Sequence, residues 1–531
     1  MEGRGLEGVF SFGKLAAPLT VAMAVSSTDE AHAMANLDAE MPRLDFDAAH
    51  AAARASWEKA LAVLDVDADK ATRTNLYTAL YHALLAPSLS MDVDGSYRGP
   101  DNQVHVAKGF DFVSSLSLWD TFRAEQPLMT ILEPRARTEN LMRSMLASQG
   151  ESPFGILPIW QFQGIETWCM IGYHAVPELA DAVGKGFANA GGFDPNVALD
   201  AMVASASYAP YGSLGDYMRL GYVPVDKDDE AASKTVEYAF DDWTIAETAH
   251  RLGREDVAAR FRKRAENWRN VFNQKDGFVE PKLANGEFRT PFDPARAGAA
   301  SGFTEGNAWQ YSWFEPQDEA ALIKVLGGDD KLVAKLDAMF DQHVDPKQYA
   351  DVEDMAGMIG QYVHGNEPSH HLAYLYVYAG EPWRTQERLA GIVQSQYRPA
   401  PDGLVGNDDL GQMSAWLLFT SLGFYPVTPG ANQYVLGRPF VNAATLHLPN
   451  GKQLRIIAEN SSKPVGSGLE SNRYVGSVRL NGKALTRTYL THEEIMAGGE
   501  LRFAMQAAPN KSWGLGETAR PYSMSKDGLL P

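Results

Sequence analysis

The chain of 531 residues contains one cysteine, Cys169. A single thiol can form neither an internal disulfide nor a thiolate metal cluster, so the fold has no covalent or Cys-metal staple. Its flanks, Glu166-Thr-Trp-Cys-Met-Ile-Gly172, read as core rather than as the setting of a nucleophile. Cysteine poverty suits the cytoplasm and a bacterial periplasm equally. Basic clusters are also missing. The net charge is −20, and a phosphate backbone needs the opposite sign, which argues against nucleic acid as a partner. No apolar run approaches the roughly 20 residues of a membrane span. Lys14, the apolar stretch Leu15–Val25 and Ala31-His-Ala33 imitate a leader with a cleavage site. The acidic pair Asp29-Glu30 interrupts that pattern, while Pro18 and the alternation over Thr20–Val25 suit a strand, which is the reading taken here.

What is present is a globular composition, with 45% hydrophobic and 10% aromatic residues. The length exceeds one ordinary core and implies a large domain with smaller companions. Residues 1–28 read as the end of a β-rich unit. From 29 to 430 the pattern is helical: Trp57, Leu61 and Leu64 recur at helical spacing, as do Leu76, Leu80 and Leu84, and Val257, Phe261, Ala265, Trp268 and Phe272 form another stripe. Long aromatic and Gly-rich connections at 86–112, 151–166, 206–225, 273–307 and 401–413 separate the helices, and connections of that length are usually functional. Helices feeding such loops toward one place suggest an α/α toroid with a cleft at one end. After residue 430 the period becomes two, with Asn450-Gly451 and Asn481-Gly482 as hairpin turns, so 431–510 is expected to be a small antiparallel β module. Residues 511–531 read as a poorly ordered tail.

Four stretches could carry chemistry. In Phe303-Thr-Glu-Gly-Asn-Ala-Trp-Gln-Tyr-Ser-Trp-Phe314, one carboxylate sits among aromatic rings. Such a setting raises a carboxyl pKa toward that of a proton donor, and the rings could also stack on a sugar face. A buried Glu paired with an Arg would give the same pattern. Trp119 and Asp120, at a helix start, could grip sugar hydroxyls beside an aromatic platform, or Asp120 could cap the helix or pair with Arg123. Asp92 and Asp94 lack the rest of a calcium loop and are read as loop-ordering acids, and Phe240-Asp-Asp-Trp243 as capping and ion pairing. In His364-Gly-Asn-Glu-Pro-Ser-His-His371, Asn366 and Glu367 offer adjacent oxygens to a hard cation such as calcium, whereas His364, His370 and His371 match no standard zinc spacing. Finally, Asp408 and Asp409 stand in a glycine-bounded loop. A base there facing Glu305 would complete the carboxyl pair of an inverting glycosidase.

Taken together, WDTFRAEQPL, GILPIWQFQGIETWCMIGYHA, YAFDDW, FTEGNAWQYSWF, HGNEPSHH, GNDDLGQMSAW and LGFYPVTPG resemble, in order, the motifs of glycoside hydrolase family 92. The resemblance runs from about residue 20 to 510. It implies a calcium-dependent, inverting exo-α-mannosidase acting on N-glycans or mannan, built as a mainly α (α/α)6 barrel behind an N-terminal β-sandwich of which residues 1–28 are the remnant. It implies Glu305 as general acid and Asp409 as base with Asp408 beside it, Asn407 standing where some members have a further acid. Asn366 and Glu367 would be calcium ligands with a backbone carbonyl near Ala308, and Asp120 would bind the terminal mannose. Trp119, Asn307, Trp309, His364 and His370 are the remaining expected substrate contacts. Members of the family are periplasmic or secreted. Tyr362-Val363-His364 stands before Gly365-Asn366 where α-1,2-specific members place a His-Glu pair, and the resemblance thus implies another or a relaxed linkage preference. Another (α/α)6 glycosidase, a polysaccharide lyase and a mannose-binding fragment without turnover are the alternatives.

Overall fold

The computed structural model describes residues 8–188, 192–298, 300–352, 354–461 and 472–530. They form a mainly helical body with a sheet region at its C-terminal end. The helical stripes face inward: Leu76, Leu80 and Leu84 are buried, as are Val257, Phe261, Ala265, Trp268 and Phe272. At the centre lies the helix Ala231–Arg251, buried along almost its whole length although it carries Glu237, Asp241, Asp242 and Glu247.

A buried carboxylate is tolerated only when donors replace its lost water. Here each has them. Glu237 accepts from the Trp119 indole N–H and faces His174 Nε2 at 2.9 Å. Asp241 accepts from the Tyr173 amide and faces His174 Nδ1 at 2.8 Å. Asp242 accepts from Tyr173 and Tyr217 hydroxyls and from Arg264 Nε. Glu247 accepts from the Tyr522 hydroxyl and the Leu530 amide. The ion pairing read from Asp241-Asp242 is therefore present, and its scale was not visible in the sequence.

The sheet region uses β1 (Leu64–Asp67), β2 (Phe424–Tyr425), β3 (Gln433–Leu436), β4 (Ala443–His447), β5 (Gln453–Glu459), β6 (Tyr474–Leu480), β7 (Lys483–Leu485), β8 (Tyr489–Thr491) and β9 (Gly499–Gln506). A six-stranded sheet runs β1-β4-β5-β9-β6-β7, and β2-β3-β8 form a second of three strands. Both Asn-Gly turns close hairpins, between β4 and β5 and between β6 and β7. At the second, Asn481 and Gly482 have φ of 50° and 78°, the left-handed pair a two-residue hairpin requires. The module is not purely antiparallel, because β5 and β9 pair in parallel. Nor is it confined to the C-terminus. Leu64, read as part of a helical stripe, lies in β1, which adds to β4 with Leu64 opposite Leu446.

Three other expectations are corrected. Residues 8–28 form no strand: Val21, Met23 and Val25 are exposed, because no neighbouring strand among the described residues meets their alternation. Asp92 instead anchors the end of this segment by accepting from Ser26 and Thr28 hydroxyls, and Asp94 orders its own loop through the Ser96 amide. Residues 511–530 are not a loose tail. Tyr522 and Met524 are buried, Trp243 donates to the Tyr522 hydroxyl, and Ser523 bonds Asp318. Cys169 is exposed rather than in the core.

One side chain joins three of the motif segments. Gln412, fully buried at the start of the helix Gln412–Leu422, accepts from the amides of Ala124 and Glu125 (2.9 and 3.1 Å) through Oε1. Its Nε2 donates to His370 Nδ1 at 3.0 Å. Replacing it with Ala strands two buried N–H groups, at about 1–3 kcal/mol each. Calorimetry should show a thermal midpoint several degrees lower for Gln412→Ala, and an unchanged midpoint would show that the clasp carries no stability.

The His174 site supplies a pH dependence. Burial alone would lower the imidazole pKa, but Asp241 and Glu237 outweigh it and lift it to about 9. A folded value above the unfolded one means that the contribution is fully present below about pH 6.5 and is lost as pH rises through 9. The thermal midpoint should fall between pH 7 and 9.5, and the His174 ring resonance should titrate near 9.

Candidate active site

The segment around Glu305 is shaped by a helix cap. Asn307 accepts from the Trp309 amide, and Gln310 Oε1 accepts from the Asn307 amide, closing a capping box at the helix Ala308–Tyr311. Phe303 stacks on Tyr311, Trp309 meets Phe278 edge-on, and Phe314 meets Phe240 and His371. The rings thus pair largely with one another and with the core. Glu305 stands half-exposed between buried neighbours, on a backbone with φ of 47°. A non-glycine residue there costs on the order of 1–3 kcal/mol and is held by its surroundings.

Asn366 reaches across to it. The Asn366 carboxamide donates to the Glu305 carbonyl at 3.0 Å and to Glu305 Oε2 at 3.2 Å, while its Oδ1 accepts from the Glu367 amide. Glu367 is fully buried, and neither carboxylate oxygen has a hydrogen-bond partner among the described residues. The histidines of this stretch point into the core. His364 bridges the Tyr362 and Tyr397 hydroxyls, each at 2.8 Å, and His370 lies between the His364 carbonyl and Gln412. Burial lowers His370 to about 3 and His371 to about 4, so both are neutral. The ring nitrogens of His364 and His370 thus face protein groups.

The loop of Asp408 and Asp409 lies against this stretch at backbone level: a side chain on Gly406 would begin 2.3 Å from the Gly365 carbonyl oxygen. The two acids divide. Asp408 Oδ1 accepts from the Ser414 amide and hydroxyl, its Oδ2 lying 4.0 Å from His82. Among the described residues, nothing donates to Asp409. Burial, followed by the charges of Asp354 and Asp408, raises Asp409 to about 6. Like Glu305, Asp409 has a left-handed backbone, with φ of 48°.

Asp120 comes from the short helix Leu118–Thr121, buried and hydrogen-bonded by the Ser117 hydroxyl. Ligand atoms of Asp120, Glu367 and Asp409 lie within 4.8 Å of one another. Burial and the Asp409 charge push Asp120 up, and burial with the Asp120 and Asp409 charges pushes Glu367 up. Glu305 also contributes to the upward push on Asp120, so it lies near the trio. Three carboxylates crowded in this way, two buried and Asp409 half-buried, with no donor to Glu367 or Asp409 among the described residues, form an oxygen-only set suited to a hard divalent cation. No histidine joins the trio.

The structure therefore gathers Asp120, Glu367 and Asp409, with Asn366 and Glu305 adjoining, from four separate motifs. It separates other expected members. Trp119 is buried with Arg123 over its ring at 4.9 Å, so that face is no open platform. The Asn307 side chain is spent on its cap and on Gln361. The Ala308 carbonyl accepts from the Ser312 amide within its helix. Trp309 remains half-buried beside the acid segment. Gln412 and Glu237 carried no signal of their own in the sequence beyond lying in or beside the quoted motifs, and Arg123 entered there only as a possible partner of Asp120.

Comparison with known proteins gives the family. The model of the glycosyl hydrolase family 92 catalytic domain matches residues 32–507. A family 92 α-mannosidase of Bacteroides thetaiotaomicron, solved with mannoimidazole, is 38% identical with a TM-score of 0.88, over 94% of this chain and 65% of that one. A family 92 inverting mannosidase of the same organism is 34% identical with a TM-score of 0.83, over 94% and 68%. An uncharacterized secreted glycosidase of Arthroderma benhamiae is 26% identical over 95% of this chain and 63% of its own length. The chain thus spans about two thirds of the length of these relatives. With the family model covering most of it, the chain belongs to glycoside hydrolase family 92.

Proposed function

We propose that the chain is the catalytic part of an exo-acting α-mannosidase that removes terminal α-linked mannose from N-glycans or mannan with inversion. The observation that carries this reading is the meeting of Asp120, Glu367 and Asp409 beside Glu305, with both reacting acids on left-handed backbone. The mannosidases to which the chain is similar support the substrate class. In the same reading the helices form an (α/α)6 barrel whose loops make the cleft, and the protein works outside the cytoplasm, as the name of the secreted relative suggests. No helix among the described residues is long and apolar enough to cross a membrane.

Glu305 donates a proton to the glycosidic oxygen as the C–O bond breaks, and the Asn366 carboxamide holds its carboxyl in place. Asp409 takes a proton from the water that attacks the opposite face of the sugar. The free carboxylate of Asp409 suits the base, because Asp408 is already engaged by Ser414. Asp120 and Glu367 would hold Ca2+, with Asp409 beside them as the base, and the bare Glu367 oxygens are the feature that fits the ion. When bound, the ion supplies positive charge that binds mannose hydroxyls and favours a flattened ring.

Chelation with EDTA should abolish hydrolysis of α-mannobiose and added calcium should restore it; undiminished turnover in EDTA would sink the metal assignment. Glu305→Gln should lower kcat on mannobiose roughly 10²–10⁴-fold, and much less on an aryl mannoside with a good leaving group. Equal losses on both would remove it from the acid role. Tyr362 and Val363 are buried and provide no carboxylate to a neighbouring sugar. Rates on α-1,2-, α-1,3- and α-1,6-mannobiose should therefore show no strong α-1,2 preference, and a pronounced one would refute the linkage reading.

A further inference from the structure

Behind the carboxylate trio stands a second, fully buried layer that the proposed chemistry does not use. Arg123 is 5% exposed and lies over three rings, Trp119 at 4.9 Å, Phe122 at 4.7 Å and Phe314 at 5.0 Å. Its Nε donates to the Trp119 carbonyl at 2.9 Å and its NH2 reaches Glu237 at 3.4 Å. The Trp119 indole N–H donates to both Glu237 oxygens, at 3.0 and 2.9 Å. Trp119 and Arg123 bracket Asp120 on one turn of chain, so a single carboxylate on the central helix grips both sides of a cluster member.

Glu237 is itself held. His174 sits between it and Asp241, with Nε2 at 2.9 Å from one and Nδ1 at 2.8 Å from the other. Carboxylates only accept, so the imidazole donates from both nitrogens and cannot turn. It also stacks on Phe122, with centroids 4.6 Å apart. Beyond Glu237, Arg123 lies close enough to Asp120 and Glu367 for its positive charge to act on both carboxyls. Outer groups of this kind orient ligands and set the local charge, and losing one typically costs 10–100-fold in metal affinity.

We propose that Glu237, locked by His174 and Asp241, is a positioning residue for the cation site. It fixes Trp119 and Arg123 so that Asp120 points at Glu367 and Asp409 while the Arg123 charge offsets their mutual repulsion. This rests on the cation reading given under the proposed function. A Glu237→Gln side chain keeps the shape but turns one acceptor into a donor facing Arg123 and His174, so the turn bearing Asp120 must shift.

Calorimetric titration with CaCl2 of the full chain, stripped with EDTA, tests this with no turnover measurement. Calcium dissociation constants should be 10–100-fold weaker in Glu237→Gln than in wild type, with a smaller loss in Trp119→Phe, which removes only the indole donor. A purely structural role would lower the thermal midpoint of the stripped protein and leave the calcium constant of the folded fraction untouched. If Glu237→Gln does not fold, Trp119→Phe decides alone. Calcium affinity within about twofold of wild type in the folded variants overturns the positioning role and leaves the cation reading standing. A wild-type chain that takes up no calcium overturns both.

Discussion

The arrangement depends on keeping like charges together in a place almost without water. Asp120, Glu367 and Asp409 come from segments nearly 290 residues apart in the chain, and each would separately prefer solvent. They stay together because their backbones are not free to withdraw. Gln412 ties the turn after Asp120 to the histidine stretch through three hydrogen bonds, and Gly365 and Gly406 bring the other two loops into direct backbone contact. The repulsion is thus carried by well-packed elements at a distance from it, as expected where a fold is strained for a chemical purpose.

The same logic explains the histidines. An aqueous His370 or His371 would be partly protonated near neutrality and would add positive charge at an uncontrolled position. Buried and bound to carbonyl and amide groups, they are neutral bystanders that fix the loop's path. His174, one layer back, is the reverse: enclosed by two carboxylates, it is held as a cation. The difference lies in the acceptor groups that face each ring.

How much of this was legible varies with the kind of signal. Glu305, Glu367 and Asp409 stood out because an acid beside Gly and Asn in an irregular stretch has few other reasons to be there. Both hairpins were readable from Asn-Gly, a local conformational demand that tertiary context rarely overrides. Gln412 and Glu237 were not readable, since a lone amide or acid in a helix has many ordinary uses and their partners lie from 42 to 288 residues away. The burial of Trp119 and His364 was not legible, because aromatic and imidazole groups serve walls and cores equally well. The alternation at 20–25 misled for the opposite reason, since a strand exists only where a neighbour completes it. Tyr522 was lost because its ties to Trp243 and Glu247 span more than 270 residues.

The pairing of β1 with β4 also bears on how the molecule is made. Residues 64–67 find their partner only at 443–447, so this edge of the sheet cannot form until most of the chain has left the ribosome. Contacts of such separation are slow, because the intervening chain must be ordered first. The edge strand of the sheet and its partner thus bracket most of the helical body in the chain. Shortening the C-terminus to before Ala443 would leave β1 without the strand it pairs with.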